Sequence, residues 1–442
     1  MSSEHNDLFE MIQSKILSDK FKEKFRTHPK AFTRRRKLDF PTMIGSMLNR
    51  MSKSLAVEIN QFLYKFGWKK NLTVSKQSYS EARHKLKYEA FIDLNDTLIR
   101  GYYQKSGHQL YQDKYLLLAT DGTNYRLPNE EELIEEFDQM DNGQSQAVLA
   151  KGVKIYDVLN RLTIRSRLSD YRTAEEKNFD ACWPHVLELI DPSSQQILLL
   201  GDRHYPSFRR FIELDNQGVD FLFRCKSDFC NEVKAFAAGE EEDAILKIDL
   251  TKKWRPQGLK KQGVTNPPDE LKVRIIRIPL EDKADIFLLT SVLDQQELTT
   301  TQLQELYPYR WEEETSFDFD KNRMEIENFS SKTVEGIKQD FFAAQLTINL
   351  TELIIMDAQE QLDQQQEQSQ NKYKYQINRS VALGLMKDQV PNFFLAKEAP
   401  DRFYLRMRDL FLRFKEPIRP GRTYPRERKY HLKYSMNLRR VT

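Results

Sequence analysis

Apolar residues in the first quarter of the chain recur every three or four positions, which is the spacing of an amphipathic helix. Residues 40–66 show this most clearly, with apolar side chains at intervals from Phe40 to Leu63. Residues 1–110 are therefore predicted to be mostly helical.

A short polar stretch, residues 75–86, is predicted to form a separate helix with either Ser75 or Ser78 as its N-cap. It carries Lys76 and Arg83, and such side chains in an exposed helix bind DNA phosphates. A solvated surface helix is an equally good interpretation of this stretch taken alone.

From residue 115 onward the pattern changes to short continuous or alternating apolar runs, which are typical of β-strands. Helical stretches separate several of these runs, so we predict an α/β sheet. Residues 226–300 hold further short runs joined by polar, Lys-rich loops and are interpreted as a β-rich insertion; helical spacing then returns up to about residue 358. The main predicted strands are Tyr115–Thr120, Val153–Leu159, Leu162–Leu168, Ile197–Gly201 and Phe221–Cys225.

Charge is balanced over the whole chain but not along it. The 442 residues include 69 Lys and Arg against 66 Asp and Glu, a formal net charge of +3. Residues 14–87 hold 19 basic and 5 acidic side chains (net +14), residues 402–442 hold 13 and 3 (net +10), and the remainder therefore carries −21. Two basic segments around an acidic middle favour a nucleic-acid enzyme, although solvated basic faces give the same pattern.

Composition argues against several other classes of protein. Glycine is scarce at 15 residues, and three cysteines are too few for a disulfide framework or a four-cysteine zinc site. We find no apolar run near the roughly 20 residues of a membrane span, and no signal-peptide pattern, so we expect no membrane and a cytoplasmic location. The Gln-rich residues 356–371 are predicted to be a linker or an exposed helical extension.

Two of the predicted buried strands each end in an aspartate, Asp121 and Asp202. Carboxyl ends of parallel strands form the ligand-binding edge of α/β sheets. An aspartate there is also a common turn residue, so each one alone is weak support for a site.

A third group of candidate residues follows the insertion, where Tyr307, Arg310, Glu314 and Lys321 are spaced by three, four and seven residues. On one continuous helix they fall within roughly 60° of each other. One face would then present a phenol, a guanidinium, a carboxylate and an ammonium. The alternative is a solvated face with an ordinary Arg–Glu pair.

The spacing Tyr307-x2-Arg310-x3-Glu314-x6-Lys321 resembles, at every interval, the signature of bacterial DDE insertion-sequence transposases of the cut-and-paste, hairpin-forming type. The segments 121–128 and 200–203 are similar to the two aspartate motifs of that family. Residues 75–86, 325–333 and 419–437 also resemble it, so the likeness spans nearly the whole chain. The sequence departs from the family at position 204, where His204 replaces the usual glycine.

The resemblance implies a ribonuclease-H-like α/β catalytic domain interrupted by a β-rich insertion, with a helical DNA-binding domain before it and a basic segment after it. The expected divisions are residues 1–110 for the DNA-binding domain, 111–225 and 301–358 for the two parts of the catalytic domain, 226–300 for the insertion, and 359–442 for the Gln-rich linker and basic C-terminal segment.

The resemblance also implies a two-metal site. Asp121 would bridge two ions, and Asp202 and Glu314 would each bind one of them. Three carboxylates without a Cys/His cluster suit hard cations, so we expect two Mg²⁺ ions, with Mn²⁺ as a possible substitute.

The implied partners are double-stranded DNA, as terminal inverted repeats and as target, and a second protomer in a homodimeric synaptic complex. An exposed tryptophan would stack on a flipped base during hairpin formation, although a buried core position is the commoner fate of a tryptophan. The residues expected to contact DNA are Tyr307, Arg310, Lys321, Trp311, Trp254, Arg203, Lys76 and Arg83.

Three functions remain open at this point. The first is an active transposase that cuts, forms hairpins and transfers strands, located in the bacterial cytoplasm at the nucleoid. The second is a catalytically inactive or domesticated DNA-binding regulator. The third is a ribonuclease-H-like nuclease that only hydrolyses DNA.

Overall fold

The computed structural model describes residues 5–34, 37–50, 54–65, 73–105, 107–141, 143, 146–252, 254–280, 284–367, 372–394 and 398–419. The basic C-terminal segment from residue 420 onward lies outside these residues, and with it most of the 419–437 motif. Lys253 of the Lys-rich loop also lies outside them.

The described part of the first 103 residues is largely helical, as the apolar spacing predicts. The hydroxyl of Ser75, rather than that of Ser78, accepts a hydrogen bond from a backbone N–H and begins the helix at Lys76. The helices are α1 (Asn6–Leu17), α2 (Asp19–Phe25), α3 (Phe40–Leu48), α4 (Leu55–Lys65), α5 (Lys76–Arg83) and α6 (Glu89–Tyr103).

The apolar spacing of residues 40–66 is divided between α3 and α4, because two polar side chains after α3 turn inward. Asn49 donates a hydrogen bond to a backbone carbonyl in a later helix, and Arg50 lies 3.5 Å from the carboxylate of Asp340. Both side chains are buried. Pairing these groups takes precedence over continuing the helix, since a buried polar group without a partner is costly.

A nine-stranded mixed sheet forms the centre of the molecule, with strand order β2-β3-β1-β5-β6-β9-β8-β7 and β4 beside β3. Strands β1, β5 and β6 are parallel to each other, and β3 is antiparallel to β1. The strands are β1 (Leu116–Arg126), β2 (Gln139–Asp141), β3 (Gln146–Asp157), β4 (Leu162–Asp170), β5 (Ile197–Gly201), β6 (Asp220–Cys225), β7 (Asp243–Asp249), β8 (Glu270–Ile278) and β9 (Ile286–Thr290).

The predicted β-rich insertion extends this same sheet. Its three strands, β7 to β9, are antiparallel, and β9 pairs with β6 through Thr290 and Leu222. Two helices that the periodicity did not indicate accompany the strands. The helices that lie between β1 and β8 along the chain are α7 (Glu131–Phe137), α8 (Glu175–Leu189), α9 (Phe208–Asn216), α10 (Asn231–Ala238) and α11 (Arg255–Lys261).

Strands β1 and β5 are buried on both faces, which explains their unbroken apolar runs. Leu116 and Leu118 of β1 pack into one hydrophobic core, and Leu117 and Ala119 pack into a second core on the other face. The polar residues at the carboxyl ends of these runs are therefore held by two layers of packed side chains.

The longest described helix is α14 (Val334–Glu367), which packs against α3 and α6 of the N-terminal region. The Gln-rich residues up to 367 form its last turns, so the helical alternative is the observed one, although Leu362 there is still buried. The elements are α12 (Thr300–Leu306), a 3₁₀ helix (Tyr307–Arg310), α13 (Trp311–Asn322), α14 (Val334–Glu367), β10 (Tyr375–Ile377), α15 (Arg379–Phe394), α16 (Pro400–Leu412) and β11 (Lys415–Pro417).

Among the described helices, α14 alone has the length and composition that a membrane crossing requires, and 89% of its most apolar stretch is buried inside the protein. Core helices meet the same criterion, so this feature is weak support for a membrane segment.

Arg83 joins the N-terminal helices to α14 instead of facing solvent. Its side chain is buried, and its guanidinium donates hydrogen bonds to Gln339 at 2.6 Å, Ser330 at 2.6 Å and Asp340 at 2.8 Å. These bonds use the donors that a phosphate would need. As placed, Arg83 has a structural role, and its predicted DNA contact would require these bonds to break.

We expect Arg83→Met to lower the free energy of unfolding by about 3–5 kcal/mol, because it leaves the buried Asp340 carboxylate without its nearest cation. Urea denaturation followed by circular dichroism measures this change. The control is Lys76→Met on the exposed side of the same helix, which should change stability by less than about 0.5 kcal/mol. Equal stability of the two variants would contradict the structural role.

Candidate active site

Parallel pairing of β1 and β5 places two aspartates next to each other. Ala119 pairs with Leu200, so Asp121 and Asp202 each lie two residues further along neighbouring strands. Asp202 directly follows β5, as predicted. Asp121 is not at a strand end, because β1 stays paired with β3 as far as Arg126. Asp121 lies at the level where the parallel strand β5 ends, so its carboxylate and that of Asp202 lie at the same edge of the sheet.

The predicted continuous helix from Tyr307 to Lys321 is a 3₁₀ turn followed by α13. Pro308 lacks an N–H and so favours the break after α12. The four signature side chains nevertheless form a connected set, because three of them contact each other and the fourth contacts β1.

Arg310 is the link between the helix and the sheet. Its guanidinium donates a hydrogen bond to Glu314 at 2.9 Å and lies 3.5 Å from the carboxylate of Asp121. The ring of Tyr307 lies beneath it, with 5.9 Å between the guanidinium carbon and the ring centre. Arg310 and Tyr307 are buried, whereas Glu314 is largely exposed. Burial raises the pKa of the Tyr307 phenol, which therefore stays neutral.

Lys321 supports the strand that carries Asp121. Its ammonium donates hydrogen bonds to the Thr123 hydroxyl at 2.6 Å and to the Asn124 carbonyl at 2.8 Å. Burial lowers its pKa. As placed, Lys321 orders the end of β1, and a phosphate contact would have to share the same donors.

The pKa of the Asp121 carboxyl group is shifted clearly by its surroundings. Burial raises its pKa to about 6, and the negative charges of Glu175 and Asp202 add to that increase. The backbone N–H of Gly122, which donates to Asp121 at 2.8 Å, and the charge of Arg310 act in the opposite direction. Burial therefore outweighs the stabilisation of the Asp121 carboxylate by Gly122 and Arg310.

The turn after β5 orients Asp202. The backbone N–H of His204 donates to one carboxylate oxygen at 2.8 Å, and the His204 imidazole lies 3.0 Å from the other. The residue that departs from the family pattern therefore contacts a predicted metal ligand directly. Arg203 beside it is exposed, and no ion pair is seen for it in the described part of the chain.

Three residues near Asp121 were missed from the sequence. Glu175 begins α8, Lys154 pairs with Asp121 across β1 and β3, and Glu313 lies buried beside the predicted Glu314. Lys154 is itself buried in an ion pair with Asp320 of α13. No local motif marks these positions, since each reaches the site through long-range pairing. The acidic Glu312–Glu314 run was the only available signal.

The donor set fits a hard divalent cation in its chemistry. Asp121, Asp202 and Glu314 offer only carboxylate oxygens, which are the ligands that such cations prefer. Within the described ranges, no three acidic, His or Cys side chains lie close enough together to hold one ion as placed. Arg310 stands between Asp121 and Glu314, so joint binding requires it to release one of them.

The other predicted contact residues are exposed, and Trp311 adjoins the cluster, with 5.9 Å between its ring centre and the guanidinium carbon of Arg310. Trp254 is 66% exposed and Trp311 is 50% exposed, so neither is a core residue. Lys76 is exposed on α5.

A cavity of about 1000 Å³ opens between residues 28–38 and the start of α5. In the described ranges, the basic residues that line it make no ion pair with an acidic side chain. These are Lys30, Arg34, Lys37 and Lys85.

Comparison with known proteins gives a family match and structural matches. Residues 112–350, more than half of the chain, match the family model described as the transposase DDE domain. The structure is similar to a piggyBac transposase in a synaptic complex with hairpin DNA, with a TM-score of 0.51 and 9% sequence identity over 94% of this chain and 87% of that one. No curated protein matches the sequence significantly. At this identity the structural likeness concerns the fold alone.

We expect Asp121→Asn to stabilise the metal-free protein increasingly as pH rises. The folded-state pKa of Asp121, about 6, exceeds the ordinary value of 3.8, so the folded protein binds more protons between these values and loses stability as pH rises through them. Removing the charge avoids a loss of up to about 3 kcal/mol.

Thermal unfolding in a metal chelator at pH 4 and at pH 7 measures this effect as a growing difference between variant and wild type. The control is Asp191→Asn, at an exposed turn where a hydrogen bond from Ser193 lowers the pKa of the carboxylate. It should show no such gain. A pH-independent difference for Asp121→Asn would contradict the raised pKa.

Proposed function

The chain belongs to the family of transposases with a DDE domain, and we propose that it moves DNA by a cut-and-paste reaction with Asp121, Asp202 and Glu314 as its acidic triad. One observation carries this assignment: parallel strands set Asp121 beside Asp202, and Arg310, distant in sequence, contacts both Asp121 and Glu314. Carboxylates that converge beside phosphate-binding cations are the composition that metal-dependent phosphodiester chemistry needs.

The sheet supports the proposal of a ribonuclease-H-like domain. Five strands in the order β4-β3-β1-β5-β6, three of them parallel, form the part that holds both aspartates. The insertion strands are added beyond β6, so they enlarge the domain without displacing its acidic edge.

Enzymes of this family generally use divalent metal ions, and we propose Mg²⁺, with Mn²⁺ as a substitute, bound by Asp121, Asp202 and Glu314. Two such ions, when bound, activate the attacking oxygen and neutralise the charge that develops on the phosphorus. His204 contributes by holding the Asp202 carboxylate in one orientation. Gly122 does the same for Asp121 through its backbone N–H.

Arg310 is proposed to change partners during the reaction. In the described state its donors are directed to Glu314 and Asp121. A DNA phosphate offers the same pair of oxygens to a guanidinium, with two parallel hydrogen bonds. Transfer of Arg310 to phosphate frees both carboxylates, and the stacked Tyr307 ring keeps the guanidinium at the site. DNA binding and completion of the acidic site are then coupled.

The proposed DNA path runs over the positively charged surfaces. Arg203 extends from the acidic edge, and Lys76 with the basic cavity at α5 offers further phosphate contacts. Terminal inverted repeats are the proposed specific substrate, with target DNA bound later. A homodimer that bridges two ends, and action at the bacterial nucleoid in the cytoplasm, are parts of the same proposal.

We expect Asp121→Asn, Asp202→Asn and Glu314→Gln each to lower Mg²⁺-dependent cleavage of DNA bearing the element's terminal repeats by at least about 100-fold, because each removes a ligand that positions charge at phosphorus. Gel analysis of end-labelled DNA measures the products. Asp318→Asn, one turn further along α13 and exposed, is the control and should cleave normally.

The same assay separates the alternative functions. Cleavage that survives all three substitutions would overturn the site assignment. Nicks without hairpins or strand transfer would favour a hydrolytic nuclease, and binding of the repeats without any cleavage by the wild type would favour a DNA-binding regulator.

Trp254 is proposed to hold a flipped base, since its side chain is exposed beside the helix α11. We expect Trp254→Ala to reduce hairpins about tenfold relative to nicks, because base stacking contributes about 1–3 kcal/mol. The ratio of the two products on end-labelled DNA measures this. Trp311→Ala is the matched comparison, and an unchanged ratio in the first variant with a lowered ratio in the second would transfer the role to Trp311.

A further inference from the structure

A second large cavity, of about 990 Å³, opens between α13, the last turns of α14 and the small sheet of β10 and β11. Glu312 lines it from α13, and Ile418 lines it where the chain leaves β11. The side chains from α14 include Glu352, Glu360 and Asp363. No described residue of its lining is one of the three proposed metal ligands, so this acidic groove is distinct from the candidate active site.

The α14 side of the acidic groove carries a row of carboxylates. Glu360, Asp363 and Glu367 are three and four residues apart, a spacing that places them on one face of the helix. All three are exposed. Among the described residues, neither they nor Glu312 of α13 makes an ion pair. Like charges at this spacing repel each other, so a cationic ligand would stabilise the row.

A further carboxylate of the groove is buried and lacks one hydrogen bond. One oxygen of Glu352 accepts a hydrogen bond from the Arg379 guanidinium at 2.9 Å, whereas the other has no hydrogen-bond partner within the described residues. Buried polar atoms without partners are rare and are expected where a ligand completes them. Because Arg379 is used by Glu352, the remaining cations of the described lining are Arg161 and Lys374, and the four other carboxylates outnumber them.

Apolar side chains are exposed in the same groove. Tyr309 is 38% exposed, Tyr373 is 36% exposed and Ile418 is 43% exposed. Aromatic rings beside carboxylates favour basic ligands, because a guanidinium or ammonium can stack on the ring while a carboxylate neutralises its charge. The groove therefore fits a peptide segment that combines basic side chains with apolar or aromatic ones.

Strand β11 brings the chain to the edge of this groove. The backbone N–H of Ile418 donates to the carbonyl of Lys374 at 2.8 Å, which fixes the chain beside the cavity. Arg419 is the last described residue before the basic C-terminal segment, residues 420–442. That segment contains seven Lys and Arg against one Glu, a net charge of +6, together with three tyrosines. Its charge and its aromatic content are complementary to those of the groove.

We propose that the acidic groove binds the basic C-terminal segment, residues 420–442, of the same chain. Attachment favours this occupant over a second copy, because a tethered segment has an effective concentration of about millimolar. An extended chain advances about 3.3–3.6 Å per residue, so a few residues span the roughly 10 Å of helix from Glu360 to Glu367. While the segment is docked, its cations are withheld from DNA phosphates. This contact is independent of the proposed metal site.

Zero-length cross-linking of the full chain tests the contact directly. A carbodiimide joins carboxylates to lysine amines that touch them, and mass spectrometry of the peptides identifies the pairs. We expect Lys429 and Lys433 to couple to the α14 carboxylates of the groove at low salt. The yield should fall about tenfold at about 0.5 M salt, because exposed charges are screened. Lys374, which already lines the groove, is the internal control for the reactivity of these carboxylates.

An equal mixture of isotope-labelled and unlabelled protein identifies which chain supplies the segment. Links confined to chains of one isotope support the proposal. Links between labelled and unlabelled chains would assign the groove to the segment of a second copy and overturn the same-chain contact. The absence of any link from Lys429 and Lys433 to the groove, while Lys374 reacts, would overturn the docking altogether.

Proteolysis gives a second measurement that does not depend on cross-linking chemistry. We expect the double variant Glu360→Gln, Asp363→Asn to increase the rate of trypsin cleavage within residues 420–442 about fivefold, because cleavage follows the population in which the segment is released. The control is Glu240→Gln, Glu241→Gln after α10, which makes the same change of charge at exposed positions. The control should be cut at the wild-type rate. Equal rates for the groove variant and the wild type would contradict the docking.

Discussion

The site depends on the parallel pairing of two apolar strands that are buried on both faces of the sheet. Asp121 and Asp202 lie side by side because the apolar runs before them pair in parallel. Burial, with smaller contributions from the charges of Glu175 and Asp202, raises the pKa of Asp121 from 3.8 to about 6, a cost of about 3 kcal/mol. Each buried Leu or Ile of those runs contributes about 1.5–3 kcal/mol, so a few such residues outweigh this cost. The packed strands therefore hold a carboxylate in surroundings that disfavour its charge.

Arg310 sets the resting state of this arrangement. A guanidinium between Asp121 and Glu314 supplies the positive charge that the carboxylates require, and it does so from the same helical segment that contributes one of them. In the proposed function, Arg310 stays on these carboxylates until a DNA phosphate replaces them, so cleavage would wait for DNA to bind.

The sequence patterns predicted the parts of the site that depend on local order. Apolar runs located the strands before Asp121 and Asp202, and periodicity located the helical residues around Glu314. They did not predict the role of Arg83, because its partners lie about 250 residues away, and any exposed helix shows the same basic pattern. Glu175 was missed for the same reason, since only the folded sheet brings α8 beside Gly122. Local spacing cannot report which distant groups will neutralise each other.

Helix α14 fixes the distance between the N-terminal helical region and α13. Arg83 of α5 donates a hydrogen bond to Asp340 of α14. Little more than one turn later on α14, Gln345 donates a hydrogen bond to Asp320 of α13, the helix that carries Glu314. One helix is thus bonded at neighbouring turns to the basic helical region and to the helix that carries Glu314. On the proposed DNA path, α14 would therefore fix the distance between the two. The number of base pairs between the recognised sequence and the cleaved bond would then be set by the structure of the protein and not by the DNA sequence.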